Sequence, residues 1–322
     1  MSEESAQAQA AELAAQRATA RAERDFARAD SLRQHITDLG FVVLDSADGW
    51  SLQAMPDAGL SGPTASPETA DASGDGSPLG SGAKTLAVVI VNGWPEDADA
   101  CARALLLHEP DVHLLIVSVT DDAEVASWAR RLADANPQRC SAICLPATGD
   151  HWGAVLCAVI QRCAATCIAV LDASTVITGP ALTQCCDVIE REQAAAAGWR
   201  GADVDRADNW RSVTAVDGDA DVLLSYLMVV PTSIATAALP SPKARFYRNA
   251  DLEWSLAIRR WWYEQHGEPA RLVALGDSLP ATQGRHHGYH DTAAEFRDRE
   301  SRATYNRLLA DFRGRDEILR RR

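Results

Sequence analysis

Asp172 stands directly after the apolar run Cys167-Ile-Ala-Val-Leu171, and Ser174 follows two residues later. A carboxylate at the end of a buried strand either serves a site or accepts hydrogen bonds from the next turn. Asp251 and Glu253 open the run Asp251-Leu-Glu-Trp-Ser-Leu256. Carboxylates at a helix start either do chemistry or stabilise the exposed N–H groups and the helix dipole. His286, His287 and His290 cluster further on, as a metal or phosphate site or as a solvated loop. Carboxylate and imidazole together are ligands for a divalent cation, and a carboxylate can also take a proton from a hydroxyl.

These side chains need elements to position them. Apolar runs at 86–91, 113–118, 142–145 and 167–171 predict strands, and 97–107, 124–135 and 153–164 predict the helices between them. Such alternation predicts an α/β fold, a parallel sheet with helices on both faces. Ligands of these sheets bind beyond the carboxyl ends of the strands. The residues after 91, 118 and 171 are therefore the site candidates. Trp254, Trp261 and Trp262 share a helix face at i, i+7 and i+8 and are expected in the core or at an interface rather than as a sugar platform. The acidic stretch 203–221 is expected to be a solvated loop, with acceptor contact as the second reading.

Four blocks follow in order: 1–54, a helix and hairpin; 55–84, a linker; 85–312, the α/β domain; and 313–322, a basic tail. Phe26, Ala29, Leu32, Ile36 and Leu39 form one apolar helix face, Gly40 stops it, and Asp48-Gly49 signals a hairpin turn. Residues 55–83 are rich in Gly, Ser, Pro, Ala and Asp and predict a flexible linker.

Of 322 residues, 47% are hydrophobic and 24% charged, enough apolar material for a large core. The net charge of −14 repels phosphate backbones, so nucleic acid is not an expected partner. No apolar run approaches a membrane span, and the polar, acidic N-terminus lacks the pattern of a secretion signal, so the expected address is the cytoplasm. The eight cysteines form no C-x-x-C pair and are expected to be buried, reduced thiols.

Two resemblances sharpen this. Arg24-Asp-Phe-Ala-Arg-Ala-Asp30-Ser-Leu32-Arg33, then Leu39-Gly40, Val43-Leu-Asp45 and Asp48-Gly49-Trp50, resembles the C-terminal tail of cysteinyl-tRNA synthetases. The HIGH-like and KMSKS-like signatures of those enzymes are absent, so the chain is not expected to be a synthetase. Residues 1–52 hold five Arg and nine Asp/Glu, which argues against a separate tRNA-binding module and for docking to a protein partner.

Leu86-Ala-Val-Val-Ile-Val91 with Asn92 and Trp94-Pro95-Glu96-Asp97 resembles the opening strand and loop of family 2 glycosyltransferases. Trp152-Gly153-Ala-Val155 and Cys167-Ile-Ala-Val-Leu-Asp172-Ala-Ser174 resemble the central helix and the strand carrying the Asp-x-Asp motif. Leu224-Ser-Tyr226-Leu-Met228, Phe246-Tyr-Arg-Asn-Ala-Asp251 and Arg285-His286-His287-Gly288-Tyr289 resemble the acceptor-side strand, the Glu-Asp-x-Asp helix start and the closing His-rich segment. The pieces span about 230 residues in the family's order. The resemblance implies a GT-A fold, a nucleotide-sugar donor, and a glycan, lipid or small-molecule acceptor, with sugar transfer by inversion.

It also implies roles. Asn92, Trp94, Ser118, Asp121, Trp152, Asp172 and Ser174 would bind the donor. Asp172, His286 and His287 would hold Mg²⁺ or Mn²⁺, and Asp251, with Glu253 as second candidate, would be the base. Ser174 stands where the second motif Asp belongs, Ser118 replaces another Asp, and Arg248 and Asn249 replace two acids. These replacements leave open a GT-A domain that binds a nucleotide or a protein without catalysis, linked to the translation machinery through its N-terminal block.

Overall fold

The computed structural model describes residues 3–22, 32, 36, 41–46, 49–54, 78–147 and 152–321. The chain divides into two compact units, Met1–Glu68 and Thr69–Arg322.

The first unit contains helix α1 (Glu3–Ala22) and strands β1 (Phe41–Ser46) and β2 (Gly49–Ala54). Ala10, Ala14 and Arg17 recur at i, i+4 and i+7 and are buried. Strands β1 and β2 pair antiparallel from Phe41 opposite Ala54 to Ser46 opposite Gly49, the hairpin that the sequence predicts. Leu32 and Ile36 of the expected apolar face are helical and Ile36 is buried. Phe26, Ala29, Leu39 and Gly40 lie outside the described residues, as do 55–77 of the expected linker.

The second unit runs β3 (Thr85–Val91), α2 (Pro95–His108), β4 (Val112–Val119), α3 (Ala123–Ala135), β5 (Cys140–Leu145), α4 (Trp152–Arg162), β6 (Cys167–Leu171). After these come β7 (Thr175–Ile177), α5 (Ala181–Glu192), β8 (Ala196–Gly198), β9 (Gly201–Val204), β10 (Val213–Val216), β11 (Gly218–Ala220) and β12 (Val222–Leu223). The chain closes with β13 (Leu227–Pro231), α6 (Thr232–Ala237), α7 (Ala250–His266), β14 (Leu272–Ala274), β15 (Ala281–Gln283), α8 (His287–His290) and α9 (Ala294–Phe312). Before β3, Leu79 bridges to Cys163 and donates its N–H to the carbonyl of Arg162, so this residue of the expected linker is tied to the end of α4.

The main sheet has eight strands in the order β11-β14-β8-β13-β6-β3-β4-β5. Strands β5, β4, β3 and β6 are parallel, and β13 runs antiparallel between β6 and β8. β3 shows why both faces are covered. Ala87, Val89 and Val91 face a core with Cys101 and Leu105 of α2, Val125 of α3 and Cys185 of α5. Leu86 and Val88 face the opposite core, with Leu156 and Ile160 of α4, Ile234 of α6 and Trp254 of α7. A strand buried on both sides must be apolar throughout, as this one is.

Trp254 is fully buried, its indole donating to the carbonyl of Ala238 at 2.7 Å, and Trp261 and Trp262 pack beside it. All eight cysteines are free, five of them buried.

The stretch 203–221 differs from expectation. β9 pairs with β10 and β12 in a three-stranded sheet, and Asp203 and Asp221 are buried. Arg320 explains this. Its guanidinium pairs with the Asp203 carboxylate, and its backbone N–H donates to Asp221 at 2.8 Å. Ile318 and Leu319 join Trp210, Leu252, Leu308 and Phe312 in a third core cluster. The segment set apart as a basic tail is thus docked from 316 to 320.

Candidate active site

A cavity of about 400 Å³ opens beyond the carboxyl ends of β3, β4 and β6, where parallel-sheet topology directs ligands. Asn92, Trp94, Trp152, Asp172 and Ser174 all line it. Trp94 adopts a left-handed backbone with φ 52°, turning the chain from β3 into α2 with Pro95 at the first helical position. The other two donor-binding candidates stand elsewhere. Ser118 is fully buried in β4, its hydroxyl without a hydrogen-bond partner among the described residues. Asp121 accepts from the N–H of Ala147 at 3.0 Å, and Asp122 caps α3 through Glu124 N–H at 2.8 Å.

Asp172 is the best-connected carboxylate at the cavity wall. Its Oδ1 accepts from the backbone N–H of Ser174 at 2.9 Å and from the Ser174 hydroxyl. Its Oδ2 lies 2.6 Å from Nε2 of His286. Burial acts to raise its carboxyl pKa, but the hydrogen bond and charge of His286 and the two bonds from Ser174 outweigh it, holding the carboxyl below its usual range. His286 Nε2 also lies 2.8 Å from the Tyr247 hydroxyl. The imidazole stacks on Tyr247 at 5.3 Å and meets the edge of Tyr226 at 5.6 Å. Burial pushes both tyrosine hydroxyls up, so they stay protonated.

His287 takes a different partner. Its Nδ1 lies 2.5 Å from Asp97 of α2, and its ring stacks on Trp94 at 6.2 Å. His286 and His287 are neighbours in sequence, yet each secures its own carboxylate. Among the described residues, no group of three or more His, Cys, Asp or Glu could hold a metal ion. Asp172 and His286 do stand together, with the Ser174 hydroxyl beside them. A divalent cation with one or two protein ligands is completed by water and substrate phosphates. The pair fits a cation shared with a diphosphate only where that cation takes the place of the Oδ2–Nε2 contact, and His287 is not part of that set.

No protein-family model matches the chain, and no curated protein matches it. Solved structures do. One is GalNAc-T7 with UDP, GalNAc and Mn²⁺, at TM-score 0.52 and 8% identity, covering 70% of this chain and 48% of that one. The chain has the GT-A fold. The mannosyltransferase PcManGT from Pyrobaculum calidifontis, with GDP-Man and Mn²⁺, is also similar, at TM-score 0.46 and 10% identity, over 62% of this chain and 57% of that one. TarS 1–349 of S. aureus with UDP-GlcNAc matches at TM-score 0.47 and 11% identity, over 70% and 66%. The chain thus spans about half the length of the first two.

Within the GT-A frame, the two base candidates sit behind the cavity wall. Asp251 accepts from the Ser225 N–H at 3.0 Å, the Ser225 hydroxyl at 3.3 Å and the Leu252 N–H at 2.9 Å. Burial raises its pKa against those hydrogen bonds. It meets the cavity through Ser225, which is a lining residue. Glu253 is buried against α9 and forms a two-pronged pair with Arg307 at 3.1 and 3.0 Å. Arg248 is exposed and bonds the Tyr289 hydroxyl, while Asn249, at φ 66°, donates to the carbonyl of Ser301 at 2.9 Å.

Among the lining residues to which the motifs assign no role are Asp97, Arg245, Tyr247 and Phe296. Asp97 and Tyr247 lie inside quoted motif segments, so the signal is present. Their roles depend on His287 and His286, which lie 190 and 39 residues further on. Arg245 and Phe296 lie just outside those segments.

Proposed function

We propose that the chain is a glycosyltransferase that binds a nucleoside-diphosphate sugar in this cavity and passes the sugar, with inversion, to an acceptor hydroxyl. The observation that carries this is Asp172 paired with His286 at the carboxyl end of β6, inside a cavity bordered by Asn92, Trp94 and Trp152. Mg²⁺ or Mn²⁺, held by Asp172, His286 and the donor's diphosphate, would supply Lewis-acid stabilisation of the leaving group. Ser174 keeps Asp172 aimed, and before a cation binds His286 keeps it ionised through the hydrogen bond the cation would replace.

The acceptor oxygen forms its bond to the anomeric carbon as the bond from that carbon to phosphate oxygen breaks. The acceptor's proton goes to Asp251, with the Ser225 hydroxyl between the two. The raised pKa of Asp251 suits a proton acceptor. The acceptor itself would be a glycan, a lipid headgroup or a small molecule, and residues 1–52 would dock a protein partner.

The test is a panel of UDP-, GDP- and dTDP-sugars, assayed for binding and for donor hydrolysis or transfer, with Mg²⁺, with Mn²⁺ and with chelator. Saturable binding with turnover supports the proposal, and no binding or turnover across the panel sinks it. The Ser174 replacement, and an Asp251 whose oxygens are all engaged, favour a second reading: a domain that binds nucleotide without transferring sugar. Tight binding without turnover in the same panel would select it.

A further inference from the structure

The loop 241–249, Ser-Pro-Lys-Ala-Arg-Phe-Tyr-Arg-Asn, holds three cations and no carboxylate in a chain of net charge −14. Lys243, Arg245 and Arg248 are all exposed. Among the described residues lining the cavity, Arg245 is the one Lys or Arg. Its guanidinium has only a loose partner, Glu300 at 4.0 Å, and Glu300 is engaged by Arg299 at 2.9 Å. The Arg245 guanidinium lies 6.0 Å from the ring of Phe296, another lining residue, with its side chain 48% exposed.

The loop is anchored. Gly153 N–H donates to the carbonyl of Ala244 at 2.9 Å, and the Cys157 thiol donates to the carbonyl of Pro240 at 3.0 Å. Two residues after Arg245, Tyr247 bonds His286, which bonds Asp172. One hydrogen-bonded chain therefore ties the loop to the carboxylate end of the cavity.

The chemistry favours a protein cation here beside any metal ion. A nucleoside diphosphate carries charge that grows as the sugar leaves, and Ser174 supplies none of the ligand strength of a second carboxylate. An anionic molecule also needs a local basic patch to attract an anionic substrate. Arginine suits phosphate oxygens because its planar donors bind two at once.

We infer that Arg245 is a diphosphate-binding residue, and that the loop 241–249 is the element that draws the donor's diphosphate into the cavity. The inference rests on the proposed donor-binding function. The experiment is calorimetric titration of the full chain with UDP, GDP and dTDP, with their nucleosides and with inorganic pyrophosphate, each in chelator and in Mn²⁺. For the nucleotide that binds, Arg245→Ala should weaken diphosphate affinity by about tenfold or more and leave nucleoside affinity unchanged. Arg245→Lys should recover part of the loss, and pyrophosphate should compete less well in the alanine variant. Diphosphate affinity that is unchanged in Arg245→Ala overturns the inference while leaving the donor site standing. Equal loss for nucleoside and diphosphate overturns it too. A wild-type chain that binds no nucleotide sinks both.

Discussion

At the residue scale, Asp172 does two jobs that sequence reasoning treats as alternatives. One oxygen closes the turn to Ser174 and the other holds His286. Asp172→Asn keeps the size but loses the charge, so nucleotide binding or turnover should fall to background in the donor panel. The carboxyl pKa is depressed in the fold, so its contribution to stability is present above the unfolded value of about 4 and is lost as pH falls through the folded value. Thermal melts should therefore show a wild-type advantage over Asp172→Asn at neutral pH that fades in acid. Asp251 is a sharper case. An amide there gives up one of two acceptors for Ser225 and Leu252, so Asp251→Asn should cost roughly 1–3 kcal/mol in chemical denaturation. If Asp251 is also the base, turnover per folded molecule should fall far more than donor affinity. Unchanged turnover would leave it a purely positioning residue.

At the element scale, the cavity depends on how closely α4 approaches the basic loop. A Cβ on Gly153 would lie 2.0 Å from the carbonyl oxygen of Ser241, which is backbone and cannot rotate away. Alanine is the better helix former by about 1 kcal/mol, so propensity alone predicts stabilisation. The clash is the larger effect, because overpacking of this kind typically costs about 1–3 kcal/mol. Gly153→Ala should lower the melting temperature and weaken nucleotide binding, because Arg245 and Tyr247 travel with the loop. A variant that melts higher and binds normally would show that this approach is not needed. The parallel elements themselves follow from local pattern. The apolar runs at 86–91, 113–118 and 167–171 become β3, β4 and β6 with ends moved by one residue or none. The closing histidine segment is less readable. Its spacing shows a cluster, whereas the fold sends His286 to β6 and His287 to α2.

At the scale of the whole molecule, the C-terminal segment completes the second unit's third core. Arg259 of α7 is almost fully buried and donates to the carbonyls of Asp221 at 2.6 Å and Ile318 at 3.0 Å. Burial lowers its pKa to about 10, still high enough to stay charged at neutral pH. Deleting residues 316–322 would expose the contacts of Ile318 and Leu319, at about 1.5–3 kcal/mol each, and leave Asp203 and Asp221 without Arg320. The truncated chain should unfold at markedly lower denaturant, and an unchanged midpoint would refute the docking. Among the described residues, no helix is long and apolar enough to cross a membrane.

The sequence by itself determined the α/β frame, because a strand buried on two faces must be apolar and a helix must show its own period. It also marked Asp172, since a carboxylate just past such a strand stands at the end where ligands bind. It could not decide which side chains meet across the chain. His286 with Asp172 and Arg320 with Asp203 join residues 114 and 117 positions apart, and no local pattern encodes those distances. Charge was equally opaque: Asp203 and Asp221 read as solvated because carboxylates are costly to bury, until the fold supplied the cation that offsets the cost. Tertiary structure decided which residues line the cavity because partners for buried charge, and close backbone approach such as Gly153 against Ser241, exist only once distant segments are packed together.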